Sequence, residues 1–121
     1  DLKKVLDHHN KQGTVATMTC VKPASQFGIV EIENAKISAF REKPVLPYWV
    51  NGGFFVFEKE IFDFIKDNAI LESEVFPILA AEGKIAAYQF AGFWDCMDTF
   101  KDMQVLNEAW KDGKAAWKVW E

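Results

Sequence analysis

A glycine-rich phosphate loop is missing from this chain: its seven glycines nowhere form the run of backbone N–H groups before a helix that cradles a triphosphate. Cysteine is scarce. Cys20 and Cys96 lie far apart and have neither metal-ligand nor redox spacing, so two reduced intracellular thiols are expected. An excess of basic charge is also lacking. Fourteen Lys and Arg against eighteen Asp and Glu give a formal charge of -4 and a pI near 5.2, which argues against a general nucleic-acid surface but leaves room for a local anion pocket. No apolar run is long enough to cross a bilayer, and no signal peptide is visible, so a cytoplasmic protein without a membrane partner is expected. Internal repeats, low-complexity tracts and interdomain linkers are absent as well.

What the sequence has is apolar and aromatic bulk. Half of the 121 residues are hydrophobic, with five Trp and eleven Phe, enough for one folded domain. A helix is expected from the start to about Gln12, with Leu2, Val5, Leu6 and His9 on one face and Gly13 at its end. His8 and His9 are adjacent and point to different sides, so they read as helix-surface residues rather than a metal pair. Thr14 to Lys22 predicts a buried strand. Phe27 to Ile32 and Ala35 to Arg41 predict a hairpin turning at Glu33-Asn34. After Lys59 the period becomes helical, with Ile61, Phe62 and Ile65 on one stripe. A second helix is expected after a Ser73 cap, with Pro77 in its first turn. Lys84 to Phe90 predicts another strand. A last helix, carrying Phe100, Met103, Leu106 and Trp110, is capped by Asp98 or Thr99. The aromatic, basic tail Gly113–Trp120 is expected to dock on an apolar surface.

Two stretches carry chemistry. In Phe40-Arg41-Glu42-Lys43-Pro44 a charged pair stands at the mouth of a strand, and Pro44 biases Lys43 toward extended backbone. The following run, Tyr48 to Phe57, is so continuously apolar that a strand buried on both faces is expected. Asn51-Gly52-Gly53 interrupts it, and glycine within a strand marks a bulge or the close approach of a ligand. Together these groups could grip a hydroxylated anion; equally, they could be a loop lysine, a solvated glutamate and an ordinary bulge. In Phe93–Thr99, Asp98 is either a helix cap or a carboxylate aimed at a divalent cation, since Mg²⁺ commonly takes one or two protein carboxylates beside substrate phosphates.

Phe40–Pro44, Trp49–Phe55, Gly92-Phe93-Trp94 with Met97-Asp98-Thr99, and Gly113-Lys114 with Trp117–Trp120 together resemble the sugar-1-phosphate nucleotidyltransferases. Order and spacing match over essentially the whole chain, closest to the glucose-1-phosphate cytidylyltransferase branch. The resemblance implies a Rossmann-like α/β fold, with a mixed β-sheet and flanking helices, of which residues 1–121 form the sugar-phosphate half. It implies a parent enzyme that joins CTP and glucose 1-phosphate into CDP-glucose and pyrophosphate. Glu42, Asn51 and Gly52 would then bind the sugar, Lys43 its phosphate, and Asp98 a Mg²⁺ ion, with Lys43 the catalytic residue. Phe100 stands where uridylyl and thymidylyl relatives have glycine, which favours the cytidylyl branch. Ala116 replaces a common proline of that branch, and Asp95-Cys96 is a further departure. The Gly-x-Gly-Thr-Arg loop and the Gly-Asp-Gly metal segment of the family are not in this sequence, so a fragment is expected. The alternatives are a noncatalytic sugar-phosphate-binding module and an oligomerisation module with the aromatic tail as its surface. Self-association into a homo-oligomer is expected on aromatic load.

Overall fold

The computed structural model describes residues 1–120 and divides the chain into two compact units, Asp1–Phe90 and the segment from Ala91 onward. The first unit is built on helix α1 (Leu2–Gln12) and strands β1 (Ala16–Val21), β2 (Ile29–Glu33), β3 (Lys36–Arg41), β4 (Val50–Phe57) and β5 (Ile85–Gln89), with helix α2 (Phe76–Ala81) between β4 and β5. Asp1 caps α1 through its side chain, and Gly13 ends it at φ 61°, the left-handed position glycine occupies without a Cβ penalty.

A three-stranded mixed sheet runs β4-β1-β5, with β1 antiparallel to β4 and parallel to β5. Alternation along β1 gives its two faces different partners. Ala16 packs with Ile61, Val75, Phe76 and Leu79, joined by Met18, Phe55 and Phe57. The Phe76 ring lies tilted against Phe55 at 5.2 Å and stacked on Phe57 at 6.4 Å. Thr17, one residue on, turns to the opposite face and meets His9 of α1. The arrangement is therefore helix, sheet, helix, and burying a side chain such as Leu79 completely contributes about 1.5–3 kcal/mol.

Several local expectations are corrected. His9 is not a surface residue: it is 2 % exposed, with Nδ1 2.8 Å from Thr17 Oγ1 and Nε2 3.1 Å from Glu58 Oε1. His8 does remain at the periphery, edge-on to Tyr88 at 5.5 Å. Leu2 and Leu6 of the expected apolar stripe are exposed. β4 is not buried on both faces. Among the described residues it is an edge strand paired with β1 alone; its first half is largely exposed, while Phe55 and Phe57 pack against the core. The segment after Lys59 makes only a 3₁₀ turn, Lys59–Asp63, that buries Ile61 and leaves Phe62 outside. Ser73 lies inside a wide π turn, Leu71–Val75, without capping α2, whereas Pro77 does fall in the first turn of that helix.

β2 and β3 form a separate two-stranded ribbon. Its turn falls at Asn34-Ala35, one residue later than expected, because both central residues take positive φ, 48° and 61°, as the tight primed hairpin turns require. Alanine is a poor residue there. Ala35→Gly is expected to raise stability by roughly 0.5–1 kcal/mol, the left-handed penalty outweighing glycine's extra unfolded freedom; an unchanged or lower urea midpoint would refute it.

The second unit contains helix α3 (Phe100–Lys111). Among the described residues no helix is long and apolar enough to cross a membrane.

Candidate functional site

The bulged Asn51-Gly52 segment lies across from the end of β1. β4 begins opposite it, with Val50 against Val21 and Asn51 against Cys20. Between the pairs Met18–Phe55 and Cys20–Asn51, one β1 residue faces Gly52, Gly53 and Phe54, so the glycine pair does form a bulge. Gly53 sits at φ 82°, and its N–H donates to Asn51 Oδ1 at 2.8 Å. That bond leaves the Asn51 amide NH₂, a pair of donors, exposed at the sheet edge. Gly52 is buried within the bulge.

The charged pair arrives from the other side. Past Val21 the chain continues extended, and Ser25 N–H donates to the Pro44 carbonyl at 2.8 Å while Leu46 N–H donates to the Pro23 carbonyl at 2.9 Å. Those bonds tie the segment that follows the Glu42-Lys43 bend to Pro23–Ser25, just past β1. The expected extended backbone at Lys43 is corrected: its φ is +43°, which lets the chain reverse between β3 and the pinned Pro44. A non-glycine residue held there is strained, and such strain concentrates at ligand sites. Lys43 Nζ lies 3.9 Å from Glu42 Oε1 with both side chains half exposed or more. A pair that long in water binds its members weakly, so both remain open to a ligand.

One member of this cluster was not legible in the sequence. A Cβ on Gly28 would come within 2.5 Å of Phe40 Cζ and 3.2 Å of Glu42 Oε2. Gly28 is therefore the space that lets the β3 end carry Phe40 and Glu42 across β2. A lone glycine before a strand gave no signal of this, because the approach comes from the partner strand.

Asp98 belongs to the second unit. Thr99, not Asp98, caps α3: its hydroxyl accepts from Asp102 N–H at 3.1 Å, and Asp102 Oδ2 accepts from Thr99 N–H at 2.9 Å. Asp98 is thus released from helix capping and exposed. Its charge helps hold the neighbouring Cys96 thiol above its ordinary range, behind burial as the larger cause. Among the described residues no three His, Cys, Asp or Glu side chains gather as a metal site; Asp98 offers a single hard oxygen donor. The tail folds within this unit, with Trp117 5.5 Å from Phe93 and Trp120 6.3 Å from Trp110. A cavity of about 440 Å³ opens there, lined by Phe93, Asp95, Met97, Leu106, Asn107, Trp110 and Trp117.

The Thr99–Asp102 box has a pH signature. Hydrogen bonds from Thr99 hold the Asp102 carboxyl below its ordinary 3.8. A depressed folded value means the cap is complete above 3.8 and is lost as pH falls through the lower, folded value. Thr99→Ala should remove it at every pH, at a cost of about 1 kcal/mol, and move the Asp102 titration, followed by NMR, up toward the ordinary value. A titration that stays in place would refute the box.

Comparison with known proteins turns this geometry into a family. The nucleotidyl transferase family model matches residues 1–114. The chain belongs to the nucleotidyl transferase family. It is 38% identical to the glucose-1-phosphate cytidylyltransferase of Salmonella typhi over all of this chain and 48% of that protein. It is 34% identical to the mannose-1-phosphate guanyltransferase beta-B of Xenopus laevis over 78% of this chain and 27% of that one. This member of the nucleotidyl transferase family thus spans about half the length of the cytidylyltransferase it matches. In fold it is similar to a Bacillus anthracis chain assigned as a glucose-1-phosphate thymidylyltransferase, solved with a sucrose: TM-score 0.62, 17% identity, all of this chain and 52% of that one. The mixed α/β architecture expected from the sequence is the one found.

Proposed function

We propose that this chain is the sugar-phosphate half of a sugar-1-phosphate nucleotidyltransferase, and that the whole protein joins CTP and glucose 1-phosphate into CDP-glucose and pyrophosphate. The observation that carries the reading is a strained, weakly paired Lys43 beside the Glu42 carboxylate, on a segment bonded to the residues that follow β1, with the bulged Asn51-Gly52 opposite the end of that strand. In open α/β sheets the carboxyl ends of parallel strands are where ligands bind, and β1 is parallel to β5. Residue chemistry suits the task. Glu42 accepts hydrogen bonds from sugar hydroxyls, the Asn51 amide donates to them, and the Gly52 backbone permits close approach. The Lys43 ammonium neutralises the sugar phosphate.

In the reaction a phosphate oxygen of the sugar 1-phosphate forms a bond to the α-phosphorus of CTP, and the α–β bridge bond breaks to release pyrophosphate. Such a transfer depends on positioning and charge neutralisation more than on a covalent catalyst. Lys43 is the catalytic residue of this half, holding the attacking group in place. A Mg²⁺ ion would be held in part by Asp98, with the phosphates supplying further oxygens, and it would offset charge on the triphosphate. We place the protein in the cytoplasm, as a homo-oligomer.

Lys43→Ala is expected to weaken glucose 1-phosphate binding at least tenfold, about 1.4 kcal/mol or more, in a calorimetric or NMR titration. Equal affinity in the two proteins would overturn the site. A second reading, a noncatalytic binding or oligomerisation module, draws on the ribbon. Val30 pairs with Phe40 and Ile32 with Ile37, and all four are exposed. Loss of self-association on Ile32→Lys with sugar-phosphate binding absent would favour it.

A further inference from the structure

Beyond Glu42, Lys43, Asn51 and Gly52, an aromatic group, Trp49, stands two residues before Asn51, just ahead of β4. The pairs Cys20–Asn51 and Val21–Val50, continued one step, set Lys22 opposite Trp49. The side chains meet as that register requires, with Lys22 Nζ 4.9 Å from the centroid of the indole. Residues directly opposite across an antiparallel pair point to one face, and residues two apart on a strand share it. By that alternation Asn51 in β4 shares a face with Trp49 just before it, and Cys20 in β1 with Lys22 just after it. Trp49 remains 41 % exposed, and Lys22 is followed by Pro23, whose carbonyl holds Leu46 and with it the loop from the Glu42-Lys43 bend.

A large exposed indole costs solubility unless something covers it, and this one is steadied by a cation on its ring. Cation–π pairing of that kind is a positional restraint, modest at an exposed site. Its neighbour Asn51 presents hydrogen-bond donors. An apolar plate beside polar donors is how a pocket fixes a ligand that is apolar on one face and hydroxylated at its rim. A pyranose ring is such a ligand: its axial C–H bonds form an apolar face and its hydroxyls project outward.

We propose that Trp49 is the platform on which the hexose ring of the sugar 1-phosphate lies, with Lys22 as a positioning residue that fixes the indole. The proposal rests on the sugar-phosphate reading of this site and adds to it the group that distinguishes a sugar phosphate from phosphate alone. Lys43 reads the phosphate; Trp49 reads the ring. Phosphate affinity then follows Lys43, and the gain from the attached sugar follows Trp49.

The test is an NMR titration of the full chain with glucose 1-phosphate and, separately, with inorganic phosphate. In the wild type the sugar C–H protons should move upfield under the indole ring current, and glucose 1-phosphate should bind more tightly than phosphate. Trp49→Ala should lose the upfield shift and at least tenfold of the glucose 1-phosphate affinity while phosphate affinity stays within twofold. Trp49→Phe should keep most of both. Lys22→Met should weaken the sugar phosphate severalfold, and Lys22→Arg, which keeps the cation on the ring, should restore it. An unchanged sugar shift and affinity in Trp49→Ala, with Lys43→Ala still weakening both ligands, would overturn the platform and leave the site reading intact. Equal loss of both ligands in a folded Trp49→Ala would also overturn it. Wild-type protein that binds neither ligand would sink the site reading and the platform with it.

Discussion

Mixed with CTP, glucose 1-phosphate and Mg²⁺, the purified 121-residue chain is expected to release no measurable pyrophosphate. Transfer needs two substrates held in line, and a triphosphate is held by backbone amides and basic groups, most often at a glycine-rich turn before a helix. This sequence has no such turn, and the chain covers 48% of the cytidylyltransferase it resembles. Asp98 contributes one carboxylate, and among the described residues no group of three metal-binding side chains surrounds it. Without an oriented second substrate the reaction forfeits the advantage of a bound pair, roughly 7 kcal/mol or more, which is a factor above 10⁵ in rate. The proposed sugar-phosphate contacts are local to the bulge and the Glu42-Lys43 bend, so binding should persist where turnover does not. A coupled pyrophosphate assay decides the matter. Turnover that vanishes in Lys43→Ala would show the chain to be a complete enzyme.

His9→Ala is expected to remove about 2–4 kcal/mol of stability, the largest loss from any single polar side chain in the first unit. The imidazole is 2 % exposed and Thr17 not at all. Truncation takes away the partner of the Thr17 hydroxyl, and a buried hydroxyl left unpaired costs about 1–3 kcal/mol. The vacated ring volume adds a cavity between α1 and β1. Against a typical domain stability of about 5–15 kcal/mol, that is a substantial fraction. Glu58, 55 % exposed at the other end of the bridge, should matter far less: Glu58→Gln is expected to cost under about 1 kcal/mol. Urea unfolding of both variants checks the ranking, and a His9→Ala loss below that of Glu58→Gln would show that the bridge does not hold α1 to the sheet.

The sequence by itself determined what local rules determine. Gly13 had to end α1, Pro77 had to lie in a first helical turn, Asn51-Gly52-Gly53 had to bulge a strand, and Thr99 stood ready to cap α3. Each depends on a backbone preference or a hydrogen bond within a few residues, and the blocks that resemble a family are likewise read in order along the chain. Tertiary structure decided the rest, because burial and partnership belong to pairs distant in sequence. His9 looked like a surface residue until Thr17 and Glu58, 8 and 49 positions away, closed around it. The run through Phe57 looked buried on both faces, yet its first half is largely exposed, and among the described residues β4 pairs with β1 alone. Gly28 acquired its importance only when Phe40 and Glu42 folded over it, and Lys22 met Trp49 only through the register of β1 against β4. A one-residue change of register would turn those side chains to the opposite face, which is why no reading along the chain could have placed them together.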